Sequence, residues 1–69
     1  MNYNDKLRLD IVRQFYVDNG IMPTFTEMTK LISGLSRMGC YKFTLRMTKA
    51  ERIKKIGRRI APGELFFID

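Results

Sequence analysis

Three cations recur along one predicted helix at spacings of four and three residues: Lys42, Arg46 and Lys49. Residues at these spacings share one side of a helix. No acidic residue accompanies them until Glu51, whereas ordinary exposed helix faces mix both signs. The pattern is therefore typical of a surface that contacts nucleic-acid phosphates. The alternative interpretation is a solvated helix face with no partner.

The charge of the chain is concentrated in its second half. Residues 1–36 contain four Lys/Arg and four Asp/Glu, whereas residues 37–69 contain nine Lys/Arg and three Asp/Glu, which accounts for the whole net charge of +6. A concentrated positive field favours binding to a polyanion, and double-stranded DNA is the partner that we expect.

The composition argues against several kinds of catalytic or metal site. The chain has one cysteine, Cys40, and no histidine, which excludes a Cys/His zinc site and a catalytic pair that contains histidine. Asp5, Asp10 and Asp18 are scattered along the first predicted helix and form no acid/base pair. We therefore expect no enzyme activity, no metal, no cofactor and no small-molecule substrate.

With 69 residues, the chain has the length of one domain, 1–69. No apolar run approaches the roughly 20 residues that span a bilayer, so we expect no membrane partner. The N-terminus lacks the apolar segment of a signal peptide. A lone cysteine fits a reducing compartment. We expect a cytoplasmic, nucleoid-associated protein.

Hydrophobic spacing predicts a first helix from Asp5 to Asp18, capped by Asn4 and ended by Gly20. Its apolar side is expected to consist of Leu7, Ile11, Val12 and Phe15.

The run Thr24-Phe25-Thr26-Glu27 is a capping box, in which Thr24 and Glu27 bond each other's backbone N–H groups. It predicts a second helix from Phe25 to Ile32, with an inward face of Met28, Leu31 and Ile32. The segment 33–35 is then a turn.

Ser36 is the expected cap of a third helix, 37–50. Its buried side is predicted from apolar residues at helical spacing, which are Cys40, Phe43, Met47 and Ala50.

Two strands, 52–56 and 64–68, are expected to pair as a hairpin whose tip, 57–63, is basic. Ala61-Pro62-Gly63-Glu64 suits a type II turn within it. The predicted fold class is mainly α with a small β-hairpin: a three-helix winged helix-turn-helix with helix 37–50 in the DNA major groove and hairpin 52–68 as the wing.

The run 19–28 contains Gly20, Pro23, Thr24 and Glu27, and Gly34-Leu35-Ser36, Ile53 and Ile60 follow it. This pattern resembles the N-terminal DNA-binding domain of LexA-type repressors over nearly the whole chain. The turn after the second helix is one residue longer than in the family, Glu51 stands where the family has glycine, and the hairpin tip is longer. The self-cleaving, dimerising domain of those repressors has no counterpart in these 69 residues.

The resemblance implies that the operator is read through the start of the third helix. The matching positions are Ser36, Met38, Gly39, Tyr41 and Lys42. Lys42 can donate to guanine O6 or N7, and the apolar side chains can contact thymine methyl groups. The alternative is that Met38 and Tyr41 pack against the second helix or the wing. For Gly39, the alternative is close packing against the second helix.

Other residues are expected to contact the DNA backbone. Arg37, Arg46 and Lys49 are assigned to phosphates, and Thr24 could offer its backbone N–H beside its role as a cap. Arg58 and Arg59 on the wing are assigned to the minor groove or its phosphates, with a solubilising hairpin tip as the alternative.

These observations predict a sequence-specific DNA-binding transcriptional regulator that acts as a repressor by blocking the promoter. One reading helix covers few base pairs, so specificity calls for a homodimer on an inverted repeat or two cooperative monomers. Two alternatives remain open. One is a small winged-helix module that docks an acidic protein, and the other is a non-specific or replication-related DNA-binding protein.

Overall fold

The computed structural model describes residues 1–68. It contains three helices followed by a two-stranded antiparallel hairpin, so the predicted winged helix-turn-helix fold is confirmed. The elements are α1 (Tyr3–Asn19), α2 (Phe25–Leu31), α3 (Arg37–Lys49), β1 (Ile53–Ile56) and β2 (Arg59–Pro62).

Helix α1 begins two residues earlier than predicted. Its cap is Asn2 rather than Asn4, because the Asn2 side-chain oxygen accepts the N–H of Asp5 at 2.8 Å. It ends at Asn19, one residue after the predicted Asp18, and Gly20 takes the expected left-handed conformation (φ 75°), which glycine adopts without strain.

The predicted apolar side of α1 is wrong for Leu7 and Ile11, which are exposed. The buried residues are Asp5, Leu9 and Val12, which recur at intervals of four and three residues. The core-facing side of α1 thus starts with a carboxylate, and the predicted stripe missed it because only apolar residues were counted.

Helix α2 opens with the predicted capping box. Thr24 Oγ1 accepts the Glu27 N–H at 3.1 Å, and the Thr24 N–H donates to Glu27 Oε1 at 2.9 Å. Met28 and Ile32 are buried as predicted, but Leu31 is exposed. The helix ends at Leu31, one residue before the predicted end.

Helix α3 is capped by Ser36, whose Oγ accepts the Gly39 N–H at 3.0 Å. Its buried side contains Cys40, Phe43 and Met47 as predicted, whereas Ala50 follows the helix and is exposed. Burial raises the pKa of the Cys40 thiol, so this residue is a neutral packing group.

The hairpin turns over two residues, Gly57 and Arg58, so its tip is shorter than predicted. The register pairs Ile53 with Pro62 and Ile56 with Arg59. Gly57 has a φ of 61°, which suits the first loop position of a tight hairpin turn. The second strand is therefore 59–62 and not 64–68, because the short turn brings residues 59–62 directly opposite β1.

Residues 64–67 form turns instead of a strand. Phe66 is buried in the core and meets the Tyr16 ring edge-on, with 5.7 Å between the centroids. Arg13 donates to the carbonyl of Phe66, and Arg52 to that of Leu65. The expected type II turn at 61–64 is absent, since Ala61 and Pro62 belong to β2.

A close backbone contact joins the end of α3 to the end of the hairpin. Glu51 adopts a left-handed φ of 59°, and Arg52 N–H donates to the Met47 carbonyl at 2.9 Å, which closes the helix as a Schellman motif. Gly63 donates to the Arg52 carbonyl at 3.0 Å. A Cβ on Gly63 would lie 2.3 Å from the Glu51 carbonyl oxygen, so only glycine fits there.

The strained backbone at Glu51 leads to a stability prediction. A left-handed conformation costs an L-residue about 1–2 kcal/mol, and the greater freedom of glycine in the unfolded chain offsets part of the gain. We expect Glu51→Gly to raise the free energy of unfolding by about 1 kcal/mol in urea titrations. Ala50→Gly is the control, because Ala50 has a φ of −85° and gains no relief. A loss of stability in Glu51→Gly equal to that in Ala50→Gly would contradict the prediction.

Candidate nucleic-acid interface

One half of the α3 surface is exposed. Successive helical residues are rotated by about 100°, and the exposed positions fall in one continuous arc opposite Cys40, Phe43 and Met47. The arc includes Thr48 and has Arg46 at its edge, and we give the name α3 face to its other six residues: Arg37, Met38, Tyr41, Lys42, Leu45 and Lys49. Its apolar members are 46–61% exposed, so they do not pack against α2 or the hairpin as core residues would.

Helix α2 and the turn after it hold α3 in place from the buried side. Met28 is fully buried and approaches Cys40, with 4.0 Å between their sulfur atoms. A Cβ on Gly39 would lie 3.0 Å from Leu35 Cδ1 and 3.3 Å from Ser36 Oγ. A Cβ there would require these side chains to move by a few tenths of an ångström, so close packing against the turn favours glycine at position 39 without a DNA contact.

The cations of the α3 face have no ion-pair partner among residues 1–68. These cations are Arg37, Lys42 and Lys49. In the N-terminal half, by contrast, Asp10 pairs with both Lys6 and Arg13, at 3.1 and 2.8 Å. Asp10 of α1 is thus paired with nearby cations, whereas these three cations of α3 have no ion-pair partner in the described chain.

Arg46 differs from the other cations of α3, because it lies at the edge of the face and binds α1. Its Nε and Nη2 donate to the two carboxylate oxygens of Asp5 at 2.8 and 2.9 Å. The Asp5 side chain is buried, and its hydrogen bonds to Arg46 lower the pKa of that carboxyl. The structure therefore gives Arg46 a structural partner where the sequence predicted a phosphate contact.

Hydrogen bonds within the caps of α2 and α3 occupy polar groups of two predicted site residues, Thr24 and Ser36. The backbone N–H of Thr24, predicted to reach a phosphate, already donates to Glu27. Ser36 Oγ is occupied by the Gly39 N–H. The N–H groups of Arg37 and Met38 have no acceptor within residues 1–68, as is usual in the first turn of a helix.

The hairpin tip carries Arg58 and Arg59, which are both exposed and form no ion pair with another residue in the range 1–68. Strand β1 packs against α3. The predicted site residues therefore fall into two groups: the α3 face, which is continuous, and the hairpin tip on a separate element. Thr24, Ser36, Gly39 and Arg46 belong to neither group.

Asp5 is the residue of this region that the sequence interpretation missed. The signal was present, since Asp5 precedes Leu9 by four residues and Val12 by seven, which places a carboxylate on the buried side of α1. A carboxylate at such a position requires a cationic partner.

Within residues 1–68, no group of three or more His, Cys, Asp or Glu side chains is arranged to hold a metal ion. No helix in the described part of the chain combines the length and hydropathy needed to cross a membrane.

Comparisons with protein-family models, with curated proteins and with solved structures find no match to this chain.

The contact between Asp5 and Arg46 predicts a pH-dependent loss of stability. Asp5→Asn removes the charge, and we expect the free energy of unfolding at pH 7 to fall by about 2 kcal/mol, in the range of charge-assisted hydrogen bonds. Folding lowers the pKa of Asp5, so the pair stabilises the fold above the ordinary carboxyl pKa. This contribution disappears as the pH falls through the lower folded-state value.

Urea unfolding followed by circular dichroism between pH 7 and pH 2 measures this effect, with Asp10→Asn as the exposed control. The control should lose at most about 1 kcal/mol. A deficit in Asp5→Asn that stays constant down to pH 2, or that equals the control, would show that the pair does not contribute in this way.

Proposed function

We propose that this protein binds double-stranded DNA sequence-specifically and regulates transcription, as a repressor that occupies a promoter. The observation that carries the proposal is the α3 face, where Arg37, Lys42 and Lys49 are exposed without an acidic partner in the described chain. An exposed helix of this kind fits the major groove, and the hairpin beside it has the place of a wing.

The electrostatic part of the proposal rests on five cations, Arg37, Lys42, Lys49, Arg58 and Arg59. Each is exposed, and none forms an ion pair among residues 1–68. Phosphate contacts from such residues release counterions and set the position of the protein on the duplex. Arg46 is left out of this set because Asp5 neutralises it.

Base recognition is assigned to the first half of α3. Lys42 can donate to guanine, and Met38 and Tyr41 can contact thymine methyl groups or sugars. This assignment agrees with the resemblance to LexA-type repressors, which rests on the sequence pattern of residues 19–28, Gly34-Leu35-Ser36, Ile53 and Ile60. The reading surface of one such helix is small, so we propose two copies on an inverted repeat.

A second candidate function is docking of an acidic protein. The exposure of Met38, Tyr41 and Leu45 between cations on the α3 face favours it, because aromatic residues and methionine are enriched in protein interfaces. Such binding would occupy the same face and would leave the protein without affinity for duplex DNA.

The test is selection of bound duplexes from a random pool, followed by affinity measurements on a selected and a scrambled duplex by fluorescence anisotropy. We expect a palindromic consensus. Lys42→Ala should reduce the preference for the selected duplex by about tenfold, because one base contact contributes about 1–3 kcal/mol. Arg59→Ala should weaken both duplexes equally.

Lys30→Ala is the matched control, because Lys30 is an exposed cation on α2 outside the α3 face and the hairpin tip. It should change the two affinities alike and only slightly. If Lys42→Ala and Arg59→Ala leave both affinities unchanged, the groove placement is wrong. Retention of an acidic protein partner without any binding to duplex DNA would favour the second candidate.

A further inference from the structure

A groove of about 510 Å³ lies between the hairpin and the segment that joins α1 to α2. One wall is formed by residues 21–25 with Tyr16 and Glu27, and the other by Lys55 and residues 58–62. This volume falls within the range of about 300–1,000 Å³ that small-molecule sites occupy. The α3 face contributes no residue to the groove.

The side chains that line the groove are largely apolar, and several of them remain partly exposed to solvent. Phe25 and Ile60 pack against the core but are only partly buried, and Ile21 is 59% exposed. Ile21 thus lies at the open edge of this concave surface, where its side chain can contact a bound molecule.

The charges of the groove favour an anion. Lys55, Arg58 and Arg59 line it, against one acidic residue, Glu27. The Glu27 carboxylate already accepts the Thr24 N–H, whereas the cations have no ion-pair partner among residues 1–68. Lys55 shares its strand face with the buried Ile53, because side chains two residues apart lie on one side of a strand.

We infer that this groove binds a small organic anion, with its apolar body between Ile21, Phe25 and Ile60 and its acidic group at Lys55 and Arg58. The volume selects a compact aromatic or aliphatic molecule, and the apolar lining disfavours a fully hydrated ion such as free phosphate. The inference goes beyond the proposed function and does not depend on it, because its test contains no DNA.

The test uses the whole chain and two probes with the same aromatic rings. 8-Anilinonaphthalene-1-sulfonate carries an acidic group, and N-phenyl-1-naphthylamine lacks it. We expect the sulfonate to bind saturably, one molecule per chain, and to shift the backbone amide signals of residues 21, 22, 24, 25 and 59–61 in nitrogen-15 NMR spectra. The neutral probe should bind at least about fivefold more weakly, since it forgoes the charge-assisted contacts.

Two pairs of variants locate the site, and each pair changes exposed side chains that are not part of the core. Lys55→Gln should weaken sulfonate binding about fivefold, whereas Lys54→Gln, on the opposite face of β1, should leave it within about twofold. Ile21→Ser should weaken it by a similar factor through lost apolar contact. Val17→Ser is the control for Ile21→Ser, since Val17 is 65% exposed and does not line the groove.

Several results would overturn the inference. These are the absence of saturable binding, equal affinity for the neutral probe, amide shifts confined to other parts of the chain, and variants that fail to differ from their controls. Sedimentation of the chain with and without the sulfonate probe can give a further result that would overturn the inference. Dissociation of a dimer by the sulfonate would show that a second copy occupies the groove. Failure to bind any duplex DNA would leave these measurements unaffected and would bear only on the proposed function.

Discussion

The backbone contact between residues 51–52 and Gly63 fixes the hairpin against the end of α3. Glu51 closes the helix in a left-handed conformation, and its carbonyl lies where any side chain at position 63 would collide. Gly63 and Leu65 donate to the carbonyls of Arg52 and Glu51 at 3.0 Å. Because the direction of β1 follows from this closure, the placement of the hairpin tip and the shape of the groove both depend on it.

Charge is distributed unevenly between α1 and the second half of the chain. On α1, Asp10 binds Lys6 and Arg13, and Asp5 binds Arg8 and reaches across to Arg46, which joins α1 to α3. The remaining cations of α3 and the hairpin have no such partner among residues 1–68. Folding does not require this arrangement, since exposed charges can be of mixed sign at little cost. An anionic partner is the simplest explanation.

The sequence was sufficient for features set by local chemistry and insufficient for features set by tertiary contact. The capping box at Thr24, the cap at Ser36 and the buried side of α3 follow from side chains three or four residues apart. The prediction of the second strand is wrong because the turn at Gly57 and Arg58 is short and pairs residues 59–62 with β1, a contact that the local sequence pattern does not determine. The pairing of Arg46 with Asp5 joins residues 41 apart, and it shows that a basic helical stripe can include a residue held by the fold. Whether the α3 face binds DNA stays a prediction.

The central claim is that the unpaired cations of α3 and the hairpin tip contact DNA phosphates, and the salt dependence of duplex binding tests it most directly. If Arg37, Lys42, Lys49, Arg58 and Arg59 each neutralise a phosphate, the logarithm of the association constant should fall against the logarithm of salt concentration with a slope of about −4 to −5. A slope near zero, or no measurable binding at low salt, would contradict the account.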